Sequence, residues 1–341
     1  MISSSIYTHL EETCRQASQI PAPTHESLLS TLAHLQASPI LQKRISQAKG
    51  NEWPGAIPLT EPITSAIPVI RRRLPLTAVD GSQIYPDLTS QVRWCYIQAV
   101  AYHIGDKPDL FSEFHPMNAM KISPDDLRGV VGGWRSALEM KAAAASSAPG
   151  RLVLMDGSLL PWLSSSRLDP EASTYRSHLL AARSNLLAGV ISSPKSRLLS
   201  RLAALVLHTS ELATDVEYMQ ALLAAGQRSA VFLHGSPHNQ RFILDQAGIY
   251  FFFLRINTHE IARIEIPQWV ALDPAAVESV ASAVLEDSRL SGYSYALTQA
   301  HHHVVISKDI CVQLQSRASA EYHQLTGRPA IFSAKQRAKQ A

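Results

Sequence analysis

Two apolar segments of the chain run into the same three residues: Leu76 through Val79 into Asp80-Gly81-Ser82, and Leu152 through Met155 into Asp156-Gly157-Ser158. An apolar run that stops at an acid reads as a buried strand with a carboxylate at its tip. The glycine after it lets the backbone turn sharply. Asp-Gly alone is a common hairpin turn. Its repetition with the same serine, after a strand each time, is what points to chemistry. On neighbouring strands the two tips would bring both carboxylates to one end of a sheet, as hard oxygen ligands for a divalent metal.

Two further residues qualify to join them. Ser123-Pro124-Asp125-Asp126 is a helix start, with serine at the cap, proline in the first position and acids in the first turn. The helix should run to about Ala145, with Leu127, Val131, Trp134 and Leu138 as its apolar stripe and Arg135 and Glu139 flanking it. Taken alone, Arg135 and Glu139 are a surface ion pair worth roughly 0.3–0.5 kcal/mol. Glu139 lies seventeen residues before Asp156, a separation that lets the helix return its far end beside the next strand and makes Glu139 a candidate third carboxylate. His301 opens a His-His-His run, and at helical spacing only one of the three can face a given site. Tyr293 and Tyr295 just upstream favour His301, although a lone histidine is more often packing or surface. The chain has no phosphate-cradling or dinucleotide glycine motif and no nucleophile elbow.

The elements that must hold these residues read as one α/β domain around a mixed sheet flanked by helices, with an N-terminal helical extension. Residues 1–48 look helical, with Leu28, Leu29, Leu32 and Leu35 at helical spacing, and 49–70 is a proline-rich connector. A strand to Asp80 is followed by a strand-like run from Val92 to Ile104. A helix from about Pro170 to Ala188 follows the second Asp-Gly-Ser, and another covers roughly 210–225. Strands are expected at 229–234, 248–256 and 260–266, the last with Ala262, Ile264 and Ile266 on one face and Arg263 and Glu265 on the other. A helix from Pro274 to about Ser288 precedes the region of His301.

The 341 residues are 46% hydrophobic and 17% charged, the composition of a globular protein. A net charge of +3 does not announce a nucleic-acid binder, but basic residues cluster at Arg71–Arg73, at Lys195, Arg197 and Arg201, and in a tail from Arg328 to Lys339. Cys14, Cys95 and Cys311 lie far apart, which fits a reducing compartment. No apolar run spans a bilayer and the N-terminus lacks signal-peptide features, so the expected location is cytoplasmic, with no membrane association.

Six segments in order carry a resemblance: Ala78 to Ser82, the Arg135–Glu139 helix, Leu152 to Ser158, Gly189 to Lys195, Ala262 to Val270 and Gly292 to His301. Together they resemble the NurA nucleases over about residues 74–310. The resemblance implies an RNase H-like core and a Mn²⁺-dependent DNA nuclease with 5′-to-3′ exonuclease activity on single- and double-stranded DNA and single-strand endonuclease activity. It also implies a homodimer working with a HerA-type hexameric ATPase in DNA end resection and repair. The family's metal and catalytic positions fall on Asp80, Glu139, Asp156 and His301, with Tyr293 nearby. Two departures are Ser294, where proline is usual, and Pro194, which interrupts the usual Ser-Lys pair. Two divalent ions about 3.5–4 Å apart would serve phosphodiester cleavage. The carboxylates suit Mg²⁺ or Mn²⁺, and the His301 imidazole tilts the choice to Mn²⁺. Asp80 is the expected bridging ligand, and His301 is alternatively a proton donor to the leaving group. Lys195, Arg135 and Arg263 are candidates to hold DNA phosphates, and Tyr293 to stack on a base or orient a phosphate. On this reading residues 71–325 form the nuclease domain, 1–70 the helical extension and connector, and 326–341 a basic tail. The alternatives are a non-catalytic protein of the same fold that binds DNA or the ATPase, and an actin-like phosphotransferase, for which the adenosine-site glycines are missing.

Overall fold

A computed structural model describes residues 4–18, 23–41, 43, 55–120, 122–146, 148–160, 169–208 and 213–330. Third from one edge of the sheet is β3 (Leu76–Ile84), flanked by β4 (Trp94–His103) and β6 (Leu152–Asp156). Beyond β4 lies β5 (Asp109–Pro116) at one edge. Beyond β6 come β7 (Leu186–Ile191), β11 (Ile261–Pro267), β10 (Ile249–Arg255), β9 (Phe232–His234) and β1 (Ala56–Pro58). Two short strands, β2 (Ile67–Pro68) and β8 (Gln227–Arg228), pair with each other, and β8 also pairs with β10. β3, β6 and β7 are mutually parallel and the other pairs are antiparallel. This is the helix-flanked mixed sheet expected of an RNase H-like core.

Strand alternation divides the core. Leu76, Ala78, Leu152, Leu154, Phe252 and Ile264 face α9 (Pro274–Asp287) and α10 (Tyr295–Val304). Val79, Ile97, Ala99, Val153 and Leu187 pack on the opposite face with α3 (Pro124–Ala145) and α4 (Asp169–Ala181). Farther along that sheet, Phe251 and Phe253 pack with α2 (His25–Ala37), α5 (Leu198–Leu207) and α6 (Asp215–Leu222). A strand covered on both faces reads as an unbroken apolar run, hence the sequence IYFFFLR in β10.

Several elements differ from the sequence expectation. The helix expected over 170–188 ends at Ala181, and Leu186–Ile191 is instead β7, a short apolar run whose type depends on its neighbours. The connector supplies β1 and β2. Leu28, Leu32 and Leu35 of α2 are buried in the core, so α2 is part of the packed molecule. The helix expected over 210–225 spans Asp215–Leu222, with 209–212 outside the described residues. The region of His301 is two helices, α10 and α11 (Lys308–Thr326). Of the basic tail, residues 331–341 lie outside the described part.

Candidate metal centre

β3 and β6 run side by side with Val79 opposite Met155, so the next residues along, Asp80 and Asp156, stand on adjacent strands. Both side chains follow the alternation onto the α10 face. The two Asp-Gly-Ser segments nevertheless have different backbones. Asp80 is not at a strand tip: β3 continues to Ile84, held by β4 from His103 to Tyr96. Asp156 does end its strand, and Gly157, with φ +95°, makes the turn that other residues rarely adopt.

The glycine at position 81 serves another purpose. Gly81 lies on the α3 side of the sheet, and a Cβ there would overlap the Glu139 Oε1 and come within 2.9 Å of Arg135 Cγ. The missing side chain leaves room for Glu139, arriving from the opposite helical layer, to lie against the strand beside Asp80. Glu139 is buried, with Arg135 Nε 3.2 Å from its Oε1. Burial pushes its carboxyl up from 4.5 to about 8. Arg135 opposes this, while the charges of Asp80 and Asp156 reinforce it. One guanidinium among three carboxylates leaves a deficit of positive charge, which a divalent cation would meet.

The fourth element is α10. Ser294 caps it by accepting from Leu297 N, and the Ser294 hydroxyl donates in turn to Asp287. The usual proline is thus replaced by a capping side chain. Ala296, Leu297 and Ala300 bury one face of the helix, which leaves His301 at the sheet. His301 Nδ1 is 2.9 Å from Asp80 Oδ2, and Asp80 Oδ1 accepts from the Gly81 N–H at 2.7 Å. Just before the helix, the Tyr293 hydroxyl donates to Asp156 Oδ1 at 2.9 Å. Burial and the neighbouring Asp156 hold that phenol well above its ordinary pKa, so it remains a donor. Desolvation also raises the Asp156 carboxyl, against the Tyr293 hydrogen bond.

Ligand atoms of Asp80, Asp156 and His301 all lie within 4.8 Å of one another. Ligands about 2.0–2.2 Å from a common ion cannot be farther apart than about 4.4 Å, so small adjustments suffice to seat one. The donor set, carboxylate oxygens with one imidazole, fits Mg²⁺ or Mn²⁺ and favours the latter.

The expected phosphate-holding residues are placed differently. Arg135 pairs with Glu139 beside the centre and is partly exposed. Lys195 is exposed between β7 and α5. Arg263 does not present a free cation: its side chain is 12% exposed, pairs with Glu265 at 2.8 Å and lies over the Phe251 ring. Glu265 itself was not singled out from the sequence, where its alternation with Arg263 reads as a polar face. The available signal was an acid and a base within an otherwise apolar strand.

Residues 74–306 match the NurA domain. Among solved structures, the NurA nuclease from Sulfolobus solfataricus aligns with a TM-score of 0.58 and 14% identity, covering 95% of this chain and 98% of its own. A structure of NurA bound to dAMP and manganese aligns with a TM-score of 0.47 and 13% identity over 72% of this chain and 88% of its own. No curated protein matches the chain. Among the described residues no helix is long and apolar enough to cross a membrane. The domain match covers well over half of the sequence, and the chain belongs to the NurA family.

Proposed function

We propose that this chain is a divalent-metal-dependent deoxyribonuclease that hydrolyses DNA phosphodiesters. The observation that carries the reading is the convergence of Asp80, Asp156 and His301, from two strands and a helix, with buried Glu139 beside them. Asp80, Asp156, His301 and Glu139 would hold one or two ions. Such ions, when bound, lower the pKa of water and draw off the charge that builds on the phosphate. Hydrolysis then forms a bond between water oxygen and phosphorus, breaks a phosphorus–ester oxygen bond, and passes a proton to the departing oxygen. His301, 63% exposed at its side chain, is the candidate for that last transfer in the alternative in which it does not ligate an ion. Tyr293 fixes the rotamer of Asp156, while Arg135 and the exposed Lys195 are suited to phosphate oxygens.

The finer assignments follow the family. They are Mn²⁺ as the working ion, 5′-to-3′ exonuclease and single-strand endonuclease activity, and a cytoplasmic role in end resection as a homodimer with a HerA-type hexameric ATPase. The manganese-bound NurA structure supports the choice of ion. End-labelled linear DNA incubated with Mn²⁺, Mg²⁺ or EDTA tests the chemistry, the ion and the direction together. Degradation with Mn²⁺ and none in EDTA is expected. Cleavage that persists in EDTA, or DNA binding with no cleavage under any divalent ion, refutes the assignment.

A further inference from the structure

Asp156 is the last residue of β6, and the turn after it, residues 157–159, decides where its carboxylate stands. That turn is tied on several sides. Gly157 N donates to Val190 O of β7 at 2.9 Å, and the Tyr175 hydroxyl of α4 donates to Leu159 O at 2.9 Å. The backbone also presses against β7 so closely that a Cβ on Gly189 would come 2.5 Å from Gly157 O. Two further donors of the turn converge on a single atom. Ser158 Oγ and Leu159 N both donate to Glu265 Oε2, at 2.7 and 2.8 Å. The other oxygen, Oε1, accepts from Arg263 Nη2 at 2.8 Å.

Glu265 is 0% exposed, in the middle of β11 opposite Gly189. Burying a carboxylate is costly unless pairing and hydrogen bonds compensate it, and an apolar residue of similar volume would fill the position without that cost. Here the compensation comes from Arg263 and from the turn that carries Asp156. Charge-assisted hydrogen bonds are shorter and about twice as strong as neutral ones, which suits a fixed turn.

We propose that Glu265 is a positioning residue for the metal centre. Through Ser158 and Leu159 it locks the turn that aims the Asp156 carboxylate, and so sets the affinity of the site for its ion. Arg263 holds the other oxygen of Glu265. The inference rests on the reading of Asp156 as a metal ligand, and its test separates the two. Mn²⁺ is titrated into the parent, Glu265→Gln, Ser158→Ala and Asp156→Ala, following the electron paramagnetic resonance signal of the free ion and, in parallel, the rate of DNA cleavage. Glu265→Gln keeps the volume and is expected to weaken Mn²⁺ binding roughly 10–100-fold, as loss of a group that orients a ligand does. Its rate at saturating Mn²⁺ should stay near the parent's. Ser158→Ala, on an exposed side chain, should shift the Mn²⁺ midpoint in the same direction by a smaller factor. A merely structural role would lower the melting temperature in EDTA and leave the Mn²⁺ midpoint unmoved. If Asp156→Ala binds Mn²⁺ and cuts like the parent, the metal-site reading itself fails. If Asp156→Ala is impaired while Glu265→Gln and Ser158→Ala keep the parent midpoint, the proposal for Glu265 is overturned. Should Glu265→Gln not fold, Ser158→Ala decides alone.

Discussion

Gly81→Ala adds one methyl group and should disable the centre. The new Cβ would overlap Glu139 Oε1 and stand 2.9 Å from both Glu139 Cδ and Arg135 Cγ. β3 cannot retreat, because Gly81 is paired with Ala99 on β4 and its neighbours continue the ladder on both sides. The side chains of α3 must therefore move. Overpacking of this kind costs about 1–3 kcal/mol. Displacing Glu139 should lower activity by roughly 10–100-fold, as misorienting a ligand group does. The assay is a pair of measurements, thermal unfolding in EDTA and cleavage of end-labelled DNA in Mn²⁺. Gly132→Ala on the same helix is the internal control. Nothing lies within 4 Å of its Cβ, so it should stabilise by about 0.5–1 kcal/mol and leave cleavage untouched. The Gly81→Ala/Glu139→Ala double variant should regain part of the stability lost in Gly81→Ala alone, since the obstructing carboxylate is gone. Parent-like cleavage by Gly81→Ala, or strictly additive stabilities in the cycle, would refute the contact.

Glu139 also predicts a pH dependence. Its carboxyl is raised from 4.5 to about 8 in the folded protein, so between those values the fold keeps a proton that the unfolded chain releases. Stability contributed by that proton is full below about pH 4.5 and is lost as pH rises through about 8, by an amount on the order of 4–5 kcal/mol at ~1.4 kcal/mol per pH unit. Melting curves of metal-free protein should show this decline, Glu139→Gln should flatten it, and matching slopes for the two proteins would contradict the cause. Tyr293→Phe removes the donor to Asp156 at 2.9 Å but keeps the ring; a hydrogen bond to a charged group contributes about 1.5–3 kcal/mol to stability, so the melting temperature should fall, and with the Asp156 carboxylate no longer oriented cleavage should fall roughly 10–100-fold. A parent-like rate would leave Tyr293 without a part in the site.

The acids of this centre were legible because acid-glycine after an apolar run is a local pattern and its repetition is visible without a structure. What the glycines do was not. Gly157 turns the chain, whereas Gly81 stays in a strand whose continuation to Ile84 depends on β4. Its role, making room for Glu139 against the sheet, exists only once helix and strand are packed. Leu186–Ile191 shows the same limit, since a short run of Leu, Ala, Gly and Val suits a helix end or a buried strand, and the parallel neighbour β6 decides. Arg263 and Glu265 were read by alternation as a polar face. In the structure they are an inward pair committed to the turn after Asp156.

The central claim is that Asp80, Asp156 and His301 jointly grip a divalent ion. Isothermal titration of Mn²⁺ into the parent and into Asp80→Ala and His301→Ala addresses it without reference to any substrate. Saturable binding by the parent, weakened at least about 10-fold in each variant, is the predicted result. Heats of binding indistinguishable among the three proteins would contradict it.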